Sequence, residues 1–165
     1  MLRAFLIILS FLLIDVTGGS ATAAENGKTW QFSSKKAIGI AGAWASAADG
    51  KSRLDISCNT RLGKTVAGSF NDYTGPALSR IDGDDESVTF EIINANQKVA
   101  SFPGKFAYYA PDKGWGYSNY PIALLDAFEH GDKLTLRNSK GMIVAEYDLK
   151  GAVQARALMR DVCGF

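Results

Sequence analysis

The chain has 165 residues, with 18 Lys and Arg against 17 Asp and Glu, a formal net charge of +1. That balance argues against a nucleic-acid or polybasic membrane role, since both need clustered cations. One histidine and two cysteines leave any Ser-His-Asp or Cys-His arrangement a single candidate base.

In chain order, Met1-Leu2-Arg3 gives a short basic start, and Ala4 to Ile14 is an apolar run broken only by Ser10. Asp15, Gly18 and Gly19 end it, and Ala21-Thr22-Ala23 supplies the small-x-small pattern that a signal peptidase reads. The run is shorter than the ~20 residues a bilayer crossing requires. Residues 1–23 are therefore expected to be an export signal, leaving 24–165 as a single domain of ordinary size. No cysteine stands at the cleavage point to carry a lipid anchor. No second apolar stretch follows, so no transmembrane segment is expected after cleavage, and the product is placed in the periplasm or outside the cell.

The mature part reads mostly as strands. Trp30-Gln31-Phe32 alternates and is expected to start a sheet, and Ala37 to Ala45 is apolar with strand favoured. A turn at Ala48-Asp49-Gly50 leads to Leu54-Asp55-Ile56-Ser57-Cys58, whose alternation aims Leu54, Ile56 and Cys58 at one face. Thr65 to Phe70 is its expected partner. Asp82-Gly83-Asp84-Asp85 is a turn, and Ser87 to Ile93 is the clearest strand of the chain. Lys98 to Phe102 and Lys105 to Tyr109 flank Pro103-Gly104 and read as a hairpin. Pro121 then opens a short helix with Leu124, Leu125 and Phe128 on one side, and Gly131 stops it. Lys133 to Arg137 and Met142 to Tyr147 form a second hairpin around residues 138–141. A last helix over about 151–162 carries Ala152, Ala155, Leu158 or Met159, and Val162 at helical spacing. The fold expected is mainly β: an antiparallel sandwich or partly open barrel, with a short helix and a C-terminal helix packed on the sheet.

Cys58 and Cys163 are the whole thiol content. In an exported chain a disulfide between them is the default, and two separate buried thiols are the alternative. Chain-entropy models assign a bridge of that span about 4–5 kcal/mol at most. The spacing is unlike a redox C-x-x-C or a zinc cluster.

Chemistry-bearing groups are sparse. His130 sits at the end of the short helix, where a cation suits the helix C-terminus. Asp126 and His130 are spaced i, i+4, with Glu129 between them, but no nucleophile accompanies them. Asp82 to Glu86 clusters carboxylates without the EF-hand order, so a turn explains it and no metal or cofactor is expected. Phe102 to Tyr120 is dense in aromatics. Tyr108 and Tyr109 must face opposite ways on a strand, and Trp115 and Tyr117 follow in a Gly-rich loop. Tyr109, Trp115, Tyr117 and Tyr120 are thus the candidate partner-binding residues, with packing as the competing explanation.

At the C-terminus Ile143-Val144-Ala145-Glu146-Tyr147-Asp148-Leu149-Lys150-Gly151-Ala152, followed by Ala155, Met159 and Cys163, resembles the ending of several exported bacterial β-sandwich proteins. With Trp30 and Cys58, the chain is similar to the TagO-like type VI secretion accessory family and to the invasion-associated locus B family. It departs from the latter in having no further cysteine beside Trp30. The resemblance implies an envelope protein of a Gram-negative bacterium, and it points to no catalytic residues. The expected function is a non-enzymatic binding or accessory role towards another envelope or secreted protein, linked to secretion or host interaction. A small periplasmic hydrolase, or an inhibitor of a wall-degrading enzyme, is the alternative.

Overall fold

Alternating apolar residues set the strands and decide which face of each turns inward. A computed structural model of the protein describes residues 29–63 and 65–165; the expected export signal over residues 1–23 lies outside them. In chain order the strands are β1 (Gln31–Lys35), β2 (Ile40–Ser46), β3 (Arg53–Asn59), β4 (Thr65–Asn71), β5 (Asp85–Asn94), β6 (Gln97–Tyr109), β7 (Gly114–Pro121), β8 (Lys133–Asn138) and β9 (Ile143–Asp148). Helix α1 (Ala123–Ala127) follows β7 and continues as a 3-10 turn over Phe128–His130, and α2 (Ala152–Cys163) ends the chain. Val88, Phe90 and Ile92 of β5 face inward, as do Leu54, Ile56 and Cys58 of β3.

The strands make one antiparallel sheet in the order β1-β2-β3-β4-β7-β6-β5-β8-β9. The expected mainly β, antiparallel fold with two helices holds, and the strands form one sheet that is not closed into a barrel. Its two ends are nonetheless drawn together. The Trp30 amide donates to the Lys150 carbonyl at 3.2 Å, and the Ala48 amide donates to the Glu146 carbonyl at 2.8 Å. The Trp30 indole N–H donates to the Asp148 carbonyl at 2.9 Å.

Helix α2 buries Ala152, Ala155, Met159, Val162 and Cys163, and it packs chiefly on β2 and β1. Strand β2 offers it Ala41, Ala43 and Ala45, all buried; their small side chains let helix and sheet approach closely. Cys58 and Cys163 are bonded, with their Cα atoms 6.2 Å apart across a sequence separation of 105. The bridge fixes the end of α2 to the inward face of β3. Among the described residues no helix is long and apolar enough to cross a membrane.

Three local expectations are corrected. Pro103-Gly104 is not a turn, because β6 runs unbroken from Gln97 to Tyr109. Proline is tolerated there since β6 has β5 on one side only at that level, with Thr89 opposite Pro103. Gly104 has a separate reason, close approach: a Cβ on it would overlap the Tyr120 phenol. Ala37 to Ala45 is divided, with a 3-10 turn over Lys36–Ile38 before β2 begins. The expected aromatic loop at Trp115 and Tyr117 is strand β7, paired on both sides along its first residues.

Candidate functional site

The interior is organised by aromatic rings. Phe106 stacks on Tyr117 with ring centroids 5.4 Å apart, and Phe90 meets Tyr120 edge-on at 4.6 Å. Trp115 packs against Phe70, Tyr73 and Tyr108. Such pairs add about 0.5–1.5 kcal/mol each beyond burial. The segment 72–84 is irregular but tied down over this cluster. Its Ser79 carbonyl accepts the Trp115 indole N–H at 3.1 Å, its Ala77 carbonyl accepts from the Asn138 amide group at 2.8 Å, and the Arg80 guanidinium donates to the Tyr73 carbonyl.

The four aromatic candidates for partner binding therefore separate. Trp115, Tyr117 and Tyr120 are buried, whereas Tyr109 is 54% exposed. Tyr108 is buried beside it, so the opposite facing of that pair holds. The three interior rings act as core, and Tyr109 is the one positioned to be touched. Burial raises the Tyr117 and Tyr147 phenols well above the ordinary tyrosine range, helped at Tyr117 by neighbouring Tyr120, Tyr147 and Asp55. Tyr120 is raised by burial as well. All three stay neutral at physiological pH, so they offer hydrogen bonding and no base.

Tyr109 stands at a recess of about 630 Å³ on β4, β6 and β7. Gly68, Gly116 and Ala107 give it a low lining, and Ser118, Asp82 and Gly83 stand at its sides. A Cβ on Gly116 would meet nothing within 4 Å, whereas one on Gly68 would overlap the Tyr117 hydroxyl and the Asp55 carbonyl. Gly68 thus lets Tyr117 cross β4, where its hydroxyl donates to the Asp55 carbonyl at 2.7 Å. The Asp82 carboxylate accepts from the Ala110 amide at 2.7 Å, holding the turn against the end of β6.

A fork opens beside this recess. Strand β7 pairs with β6 only at Ala107, Tyr108 and Tyr109, opposite Gly116, Trp115 and Gly114. Beyond that point the register between β4 and β7 shifts: Gly68 faces Tyr117 but Val66 faces Tyr120. Asn119 takes a left-handed φ of 61° within this bulge, and bulges of this kind turn a strand aside and end its pairing.

The remaining candidates have other partners. The Arg156 guanidinium donates to the Asp126 carboxylate at 2.8 and 3.0 Å and also to that of Glu129, clamping α2 to the α1 region. The His130 side chain is exposed, and its backbone carbonyl accepts from the Asn94 amide group at 2.9 Å. The short helix passes into a 3-10 turn over Phe128–His130. The Asp82 to Glu86 carboxylates diverge. Asp82 takes the Ala110 amide, Asp85 the Lys105 ammonium, and Glu86 the Ser79 amide. Among the described residues no group of three His, Cys, Asp or Glu converges on one point.

Sequence reasoning missed the fork altogether. The only signal for it was the Pro103-Gly104 pair, which points equally to a turn. Comparison with known protein families, curated proteins and solved structures finds no match for this chain.

Proposed function

We propose that the chain is an exported, non-enzymatic binding module of a Gram-negative envelope, periplasmic or secreted, whose partner is another envelope or secreted protein that docks at Tyr109. The observation that carries this reading is Tyr109 itself: a large aromatic side chain, 54% exposed, held by a strand end beside an open recess. Rigidly mounted tyrosines of this kind are favoured anchors at interfaces. The Cys58–Cys163 bridge suits an oxidising compartment, and the export-signal pattern at residues 1–23 points the same way. The resemblance to exported accessory proteins fits a role in secretion or host contact.

The test is a photo-reactive phenylalanine analogue placed at position 109 or, as a control, at the exposed Val153 of α2, in the exported chain in intact cells. The reading expects a discrete crosslink to an envelope or secreted protein from position 109 and none from 153. An absent crosslink at 109, or the same products from both positions, overturns it. Tyr109→Ala is expected to leave stability within about 0.5 kcal/mol, since the ring contributes little to the core.

A further inference from the structure

Among the described residues, 97–106 of β6 pair with β5 and with no second strand. Among the described residues, no other backbone hydrogen bond reaches that edge. Across the same fork the last residues of β7 are also bare towards β6; among the described residues the other bare edges belong to β1 and β9, strands of 5 and 6 residues. Those two strands lie where the sheet ends are tied together. The β6 edge instead opens into the fork, next to the Tyr109 recess.

An unpaired strand edge presents N–H and C=O groups whose natural complement is another extended backbone; here the row lacks one donor, at Pro103, and the groups on either side of it remain for pairing. Three observations narrow the occupant. Ala100 and Phe102 pack on the core yet are only partly buried, so a further strand would finish covering them. The Tyr120 hydroxyl, beside Gly104, is buried without a hydrogen-bond partner. The exposed Lys98 and Lys105 flank the edge, and β5 shows what they attract. Lys98 binds Glu91 at 3.1 Å and Lys105 binds Asp85 at 3.2 Å.

We infer that the bare edge of β6, residues 97–106, is a strand-addition site for an extended acidic segment of the partner protein, lying beside the Tyr109 recess. This rests on the binding role proposed above and names the form its partner takes. Recognition runs through main-chain hydrogen bonds and carboxylates on one face of the segment, so it tolerates sequence variation elsewhere. A second copy of this chain is a poor occupant, because edge-to-edge pairing gathers the lysines of both copies.

The probe is a capped peptide with the β5 sequence of residues 85–94, DESVTFEIIN, which carries the carboxylates that β6 already pairs with. Hydrogen exchange of the mature, disulfide-intact chain is followed with and without it. The expected result is amide exchange over 97–106 slowed about tenfold or more at saturation. That effect should be lost when alternate peptide nitrogens are N-methylated. Lys98→Glu with Lys105→Glu should abolish binding of this peptide and admit one with its acids replaced by Lys. The inference is overturned by unchanged exchange at 97–106, by equal binding of the N-methylated peptide, or by a dimer in sedimentation that the peptide does not compete with. A position-109 crosslink that persists alongside a failed peptide test removes the strand-addition site and leaves the binding role. Peptide protection without any crosslink does the reverse.

Discussion

Three buried phenols sit close together, and only one of them has a hydrogen-bond partner. Tyr117 donates to the Asp55 carbonyl, while Tyr120 and Tyr147 have no partner among the described residues. Removing a satisfied hydroxyl costs about 1 kcal/mol, and removing an unsatisfied one is neutral or helpful. Urea denaturation should therefore show Tyr117→Phe destabilised by about that amount, with Tyr120→Phe and Tyr147→Phe unchanged or more stable. The same residues set an alkaline limit. Their raised folded values mean that only the unfolded chain releases phenolic protons just above pH ~10. Their contribution is complete below that pH and is lost as pH rises past it, by about 1.4 kcal/mol per pH unit for each phenol. Unfolding midpoints measured from pH 9 to 11 should fall steeply. Asp49 and Glu91 act at the acid end. Burial pushes each up, but the Ser52 hydroxyl and nearby amides at Asp49, and Arg137 and Lys98 at Glu91, outweigh it and leave both lowered. Their contribution is present above the ordinary carboxylate range and fades as pH falls through those lowered values. At this scale alternation made the facing of Tyr108 and Tyr109 legible. The burial of Trp115 and Tyr117 was not legible, because Gly114 and Gly116 imitate a loop.

The elements themselves were largely readable: β3 with β4, β5, the β8–β9 hairpin and α2 all lie where periodicity places them. Strand β6 was not, and the reason is non-local. Whether a proline can stand within a strand depends on what lies along its free side, which the bulge in β7 decides. The actual β5–β6 turn is Ala95-Asn96, both residues at positive φ, 47° and 67°, joining Asn94 to Gln97. Two such residues make the tight turn that suits hairpin twist. Alanine is a poor choice there, since its Cβ crowds the left-handed region. Ala95→Gly should stabilise the hairpin and raise the melting temperature by about 2–4 °C, read by circular dichroism.

At the scale of the molecule, the disulfide and α2 complete what strand pairing leaves open. Helix α2 spans β1 and β2 while the bridge holds its last turn to β3. Reduction, or Cys58→Ser with Cys163→Ser, should lower the unfolding free energy by up to about 4–5 kcal/mol, measured in denaturant with and without reductant. The position of the pair was legible because each cysteine continues the buried pattern of its own element. The candidate site was less so. Tyr109 was among the residues expected, but the open fork beside it is a property of the register between β4 and β7. The bridge also has a consequence for survival among proteases. Six strands, β4 to β9, lie between Cys58 and Cys163 and so belong to one covalent ring. A single cut at an exposed turn within it, such as the one at Lys113, opens the ring without releasing a fragment. The nicked chain remains one molecule, with both new ends held in the same sheet.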